Sequence, residues 1–277
     1  MSWLRNIFYA LPPRWRFVAR RLYYFPLDFV EGISGKRDAL TPPRGLIYTG
    51  SGDFRAQGNK LLQYFISDAG LQPQHDVLDI GSGIGRIAVP LTTYLNESGS
   101  YEGFDVVETG VDWCKQHISS RFSNFNFEYI SLENDLYRSQ GTSAAVFTFP
   151  YTDASFDFVV LSSVFTHMLP EEVANYLKEI GRVLRPGGCC FATFFIWNEQ
   201  SAQVDQLNPA FAFPYDHKHY RLMDERVTSA NVAYAEDYLH SLIADANLQL
   251  HQTFYGYWSG REKAQCKDFQ DILLLKK

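Results

Sequence analysis

The run Val77-Leu78-Asp79-Ile80-Gly81-Ser82-Gly83-Ile84-Gly85-Arg86 constrains this chain more than any other stretch. Apolar residues around a single acid read as a short buried strand, Asp76–Ile80. Glycines at three alternate positions then turn the chain toward a helix beginning near Ile84. Glycine is required where the backbone bends sharply and a ligand approaches closer than a Cβ would allow. Pro90 falls early in that helix and lacks an amide donor, so a kink or a short first segment is expected.

The remaining elements repeat this alternation. A helix over 58–69 precedes the first strand, with Leu61, Leu62, Phe65, Ile66 and Ala69 on one face and Gly70 as its stop. Strands are expected over 101–104, 125–130, Phe156–Leu161 and 189–196, and helices over 111–119 and 170–184. Pro170 and the acids Glu171 and Glu172 suit the first turn of the last of these helices. Residues 131–149 read as a long polar loop. A helix over 236–246 precedes two consecutive strands, 250–255 and 269–275, which predict a closing antiparallel hairpin. With 277 residues and 46% hydrophobic content, the chain can bury one large α/β core. The expected fold is a Rossmann-like, seven-stranded, mostly parallel sheet with an antiparallel final strand and helices on both faces. Residues 51–277 form that domain, with a lid insertion over 198–235, and residues 1–50 form an N-terminal arm.

Charge is unevenly spread. The chain has a net charge of −6, yet residues 1–37 carry seven basic side chains against two acids. That is a local +5, leaving −11 for the rest. The arm also holds Trp3, Phe8, Tyr9, Trp15, Phe17, Tyr23, Tyr24 and Phe25. Basic residues mixed with aromatics suit either peripheral membrane contact or a helix capping the fold with its basic side in water. The acidic balance elsewhere argues against a nucleic-acid partner, which calls for a clustered basic face. The apolar stretch before Pro12-Pro13 is too short for a signal peptide, and no apolar run is long enough to cross a membrane. Cys114, Cys189, Cys190 and Cys266 lack metal-type spacing and read as reduced thiols of a cytoplasmic protein.

Asp105 closes the second strand, one strand over from the glycine turn. A nicotinamide-type fingerprint would place glycine or alanine where Arg86 stands, which disfavours a dinucleotide oxidoreductase. With Asp79, the glycine turn and Asp105, the chain resembles the class I S-adenosylmethionine (SAM)-dependent methyltransferases. The segment Phe149-Pro150-Tyr151-Thr152-Asp153-Ala154-Ser155-Phe156-Asp157 resembles their approach to strand four. Val183-Leu184-Arg185-Pro186-Gly187-Gly188 resembles their turn into strand five. The resemblance implies SAM as cofactor, held by Asp79, Gly81, Ser82, Gly83, Gly85, Asp105 and Val106. It gives Asp105 the ribose hydroxyls and Val106 the adenine face. Relatives often place an acid shortly before the Phe-Pro pair; here Ala144 to Thr148 offer none.

The same resemblance implies methyl transfer to a small-molecule acceptor, for which the basic aromatic arm suggests apolar or lipid-like character, with a non-catalytic SAM-binding protein as the alternative. His167, just past strand four, suits a general base or a histidine bonded to backbone beneath the pocket. His217, His219 and Tyr220 in the lid suit a base or a solvated cluster. No metal is expected. Trp113 is expected near the cofactor edge, and the stretch from Tyr255 to Arg261 as a pocket wall or a connecting loop.

Overall fold

The computed structural model describes residues 13–35, 37–48, 50, 52–132, 141–203 and 211–277. Trp3, Arg5, Phe8, Tyr9 and Lys36 of the arm, part of the 131–149 loop, and Asn208-Pro209 of the insertion lie outside the described residues. In chain order the elements are α1 (Pro13–Ile33), α2 (Phe54–Ser67), β1 (Asp76–Ile80), α3 (Ala88–Leu91), β2 (Ser100–Asp105), α4 (Glu108–Cys114), β3 (Phe125–Tyr129) and β4 (Phe156–Leu161). There follow α5 (Pro170–Val183), β5 (Leu184–Phe194), β6 (Ile196–Trp197), β7 (Tyr215–Asp216), β8 (Tyr220–Leu222), β9 (Val232–Ala235), α6 (Glu236–Asp245), β10 (Gln249–Phe254) and β11 (Asp271–Lys276).

The main sheet has seven strands in the order β10-β11-β5-β4-β1-β2-β3. β1 pairs in parallel with β2 and β4, and the parallel run continues to β3 and β5. β11 enters antiparallel between β5 and β10, as the closing hairpin predicts. Strand order reverses beside β1, so the connections leaving β1 and β4 diverge to opposite faces. That divergence opens a crevice at the carboxyl ends of these strands.

Period-two alternation sorts the side chains. Leu78 and Ile80 of β1 join Val159 and Leu161 of β4 under α5 and α6, while Val77 joins Phe158 and Val160 under α2 and α4. Asp79 shares Val77's face, so its position in the strand turns it away from the crevice and toward Tyr101.

Some boundaries shift. The first core helix starts earlier than expected, at Phe54, because Asp53 caps it by accepting from Ala56 N at 2.7 Å. After the glycine turn only the single-turn α3 forms, in line with Pro90. α4 starts at Glu108 and continues as a π-helical turn over Lys115–Ser119. β5 takes in the Arg185-Pro186-Gly187-Gly188 turn, whose extra residues shift register against β4 between Phe156 and Phe158.

The 198–235 insertion is more ordered than its lost periodicity predicts. Its described part forms β7, β8 and β9, which with β6 make a second four-stranded sheet. Phe213, Leu222, Val232 and Tyr234 are fully buried there, and Phe195, Phe213 and Trp258 form its aromatic centre. Two-to-four-residue strands separated by turns are too short for a repeating pattern to declare itself in sequence.

Candidate active site

The glycine turn is stapled to the end of β2. Gly81 N and Ser82 N both donate to Phe104 O, at 2.9 and 3.0 Å. Gly81 adopts φ +77°, and a Cβ there would sit 2.5 Å from Val164 Cγ2. Only glycine satisfies both the dihedral and the clearance. The crevice holds a cavity of about 250 Å³ bounded by the ends of β1, β2 and β4. Its wall includes Gly81, Ser82, Gly83, Phe104, Asp105 and Val106, with Leu132 and Ala144 adding apolar surface. Ser163, His167, Met168, Glu172 and Tyr176 line it as well.

Of the seven cofactor residues expected from sequence, Gly81, Ser82, Gly83, Asp105 and Val106 line this cavity, and Asp79 and Gly85 do not. Asp79 is fully buried behind the turn, where Tyr101 Oη donates to its Oδ2 at 2.6 Å. Burial pushes its carboxyl up to about 7, against the hydrogen bond from Tyr101. Gly85 is a packing position: a Cβ there would come within 2.8 Å of Ile118 Cδ1.

Asp105 reaches across to the turn. Its Oδ2 accepts from Gly83 N at 2.8 Å and its Oδ1 from Val107 N at 2.8 Å, and Tyr48 Oη lies 3.4 Å from Oδ1. Burial raises this carboxyl, and the two amides and the phenol pull the other way. The acid is thus held rigidly with its carboxylate at the cavity wall. Ser82 Oγ is buried at the same wall and has no hydrogen-bond partner among the described residues, a polar atom left for a ligand.

His167 follows β4 and lines the cavity. Its Nδ1 lies 2.7 Å from Ser229 O, so Nδ1 carries the proton and donates. Burial draws the imidazole below its usual value, and the carbonyls of Ser229 and Ala230 partly oppose this. The ring is therefore neutral at pH 7, with Nε2 unprotonated. The insertion braces this segment from beneath, since Tyr234 Oη also donates to Met168 O at 2.6 Å.

Other expected residues fall elsewhere. His217 stacks on Tyr220 and His219 on Tyr238, and none of these rings lines the cavity. Trp113 is buried against His117, away from the cavity wall. The stretch from Tyr255 to Arg261 serves as a connecting loop rather than a pocket wall: Trp258 is buried and donates its Nε1 to Asp271 Oδ2 at 2.6 Å.

Tyr48, Arg86, Ser163, Glu172 and Tyr176 line the cavity and were not singled out as site residues from sequence. Arg86 sits one residue past the glycine turn, and a Cβ on Gly50 would collide with its guanidinium. Burial lowers its basicity and the charge of Asp79 partly restores it. Ser163 adopts φ +61°, unusual for a residue with a side chain, with its N–H on Thr193 Oγ1 and its hydroxyl on Gln270 Oε1. Only Arg86 carried a signal, through its place beside the turn; the others come together by folding alone.

Residues 78–192 match the family model described as a methyltransferase domain. The chain is 28% identical over 130 residues to a tRNA N(3)-cytidine methyltransferase of Gallus gallus, covering 47% of this chain and 32% of that protein. It is 26% identical to a ubiquinone/menaquinone biosynthesis C-methyltransferase of Xanthomonas oryzae pv. oryzae, covering 46% of this chain and 44% of that protein. The chain thus spans less than half the length of these curated relatives. A SAM-dependent methyltransferase of Methanosarcina mazei shares the fold, with a TM-score of 0.52, 21% identity, and coverage of 76% of this chain and 96% of that one. The glycine turn, the β2-terminal acid, the strand order and the matched segment agree: residues 78–192 form a methyltransferase domain, and the chain has the Rossmann-like fold of the class I SAM-dependent methyltransferases.

Proposed function

We propose that this chain transfers the methyl group of SAM to a small acceptor of apolar or lipid-like character. The observation carrying the reading is one cavity lined by a rigid acid, an open glycine turn and a histidine with its Nδ1 held by backbone.

The residues present fit the cofactor's chemistry. Asp105 offers acceptor oxygens for two vicinal ribose hydroxyls, and Val106 with Leu132 and Ala144 gives an apolar slot for adenine. The orphaned Ser82 hydroxyl and the Arg86 guanidinium supply polar contacts toward the amino-acid end, where a carboxylate suits Arg86. Asp79 and Gly85 act through the turn rather than by touching the ligand. Asp79 anchors β1 to β2 through Tyr101, and Gly85 lets the turn pack on α4 and the helical turn after it.

When bound, SAM supplies a methyl group made electrophilic by the adjoining sulfonium. The chain's part is to align the acceptor, exclude water and, for a hydroxyl acceptor, take its proton. Alignment of reactants can supply about 7–11 kcal/mol. His167 Nε2 suits the proton's removal, because Ser229 holds the ring in the Nδ1–H tautomer. Met168 and Tyr176 add apolar surface to the wall that carries His167. The −6 net charge supports a small molecule over a nucleic acid, although curated relatives include a tRNA methyltransferase. Buried or half-buried free thiols support a cytoplasmic setting.

Isotope-labelled SAM incubated with the protein and fractionated cell extract tests this. Label in an organic-soluble small molecule is expected. Label in tRNA alone contradicts the acceptor class. Tight SAM binding with no labelled product contradicts catalysis and leaves a non-catalytic SAM-binding protein.

A further inference from the structure

The first helix is built inside out. Its polar residues face the body: Asp28 accepts the backbone amides of Arg44 and Gly45 at 2.6 and 2.9 Å, and Glu31 accepts from Arg44 Nε at 2.9 Å. Most of its large apolar residues face outward, with Phe17 and Tyr24 half-buried. Leu22 is 71% exposed, Tyr23 76% and Ile33 73%, and Trp15, Phe25 and Phe29 are each more than half exposed. At about 100° per residue these positions sweep roughly half the circumference of α1. A single exposed leucine is ordinary, but a continuous helical face of this kind marks an interaction surface.

We propose that α1 lies flat on an anionic phospholipid surface and holds the cavity close behind it. Charge selects the lipid. The first 37 residues carry a net +5 while the rest of the chain carries −11. A symmetric second copy would press two such basic arms together. Exposed tryptophan and tyrosine on the apolar face suit the headgroup boundary, where rings with one polar edge settle. No helix among the described residues is long and apolar enough to cross a membrane, so the helix lies in the surface plane.

The helix also touches the site. Phe17 packs edge-on against Tyr48 at 5.5 Å, and Tyr48 lines the cavity and reaches Asp105. A membrane-docked α1 therefore keeps the site one helix behind the surface in which an apolar acceptor dissolves. This last step rests on the methyl-transfer reading; the docking itself does not.

The test is co-sedimentation of the full chain with phosphatidylcholine vesicles, with and without phosphatidylglycerol, beside the double variant Leu22→Glu/Phe29→Glu. Binding to the anionic vesicles is expected, falling by about tenfold or more in neutral vesicles, at high salt, and in the variant. The variant keeps SAM affinity and its melting temperature, which shows it folded. Absence of binding to any vesicle overturns the proposal. So does a dimer in ultracentrifugation that the variant dissociates without any vesicle binding, which gives the face to a second copy. Binding that appears only after residues 1–12 are removed gives the face to that segment instead. Loss of SAM affinity in the unaltered chain with vesicle binding intact would overturn the methyl-transfer reading alone.

Discussion

Tyr101 donates its phenolic proton to Asp79 Oδ2 at 2.6 Å across neighbouring parallel strands, wholly out of solvent. The strand-end acid is thereby part of the sheet's interior, with Oδ1 left without a partner among the described residues. The folded carboxyl is raised to about 7, while an unfolded aspartate titrates near its ordinary value of about 3.9. A raised folded value means the stabilising contribution is fully present below the unfolded value. It is lost as pH rises through 7. Denaturant titrations of the wild type and Asp79→Asn from pH 4 to 8 are predicted to show this loss in their difference. The difference falls by about 1.4 kcal/mol per pH unit at most, then levels off above pH 7.

Asp105 is predicted to matter for cofactor affinity. Asp105→Ala removes acceptors worth about 1.5–3 kcal/mol per charged hydrogen bond, so SAM should bind at least tenfold more weakly. It also releases Gly83 N and Val107 N, so the melting temperature falls too. Asp105→Asn keeps one carbonyl oxygen and is expected to lie between the two in affinity.

Gly83 lines the cavity at φ +59°. Gly83→Val places a branched side chain in that space and in a strained backbone region, which costs about 1–3 kcal/mol of stability. The expected result is a folded protein by circular dichroism with no measurable SAM binding. Undiminished affinity would remove the turn from the cofactor site.

His167 offers a kinetic signature. Burial holds its imidazole below the ordinary value, which favours the neutral ring. For a hydroxyl acceptor, kcat is predicted to be flat through neutrality and to drop only on the acid side. His167→Ala is expected to lose about 10²–10⁴-fold in kcat with little change in SAM affinity. Unchanged turnover would leave the histidine only its bond to Ser229.

Trp258 belongs to the scaffold. Its indole N–H, Gly256 N and Ile196 N all converge on the buried Asp271 carboxylate. Trp258→Phe keeps the ring packing but removes one donor. It should destabilise the fold by about 1–3 kcal/mol, measured in denaturant, and leave SAM affinity unchanged.

How far the sequence could be read follows from how local each signal is. The β1 strand, the glycine turn and Asp105 are set by contiguous residues, so their places in the crevice could be anticipated. The resemblance gives Asp79 to the ligand as the acid at the strand tip, whereas strand alternation sets its side chain on the Tyr101 side. Tyr48, Ser163 and the α5 pair Glu172 and Tyr176 come from three separated segments and meet only through the sheet order. Nothing in their local patterns marks them. The insertion's strands were invisible for a related reason: pieces of two to four residues owe their form to β6 and the Phe195–Trp258 packing.

Calorimetric titration of the purified chain with SAM tests the central claim most directly. One cofactor per chain is predicted, with affinity at least tenfold weaker in Asp105→Ala and no heat with NAD. A titration showing no heat with SAM, or heat unaltered by the Asp105 substitution, would contradict the account.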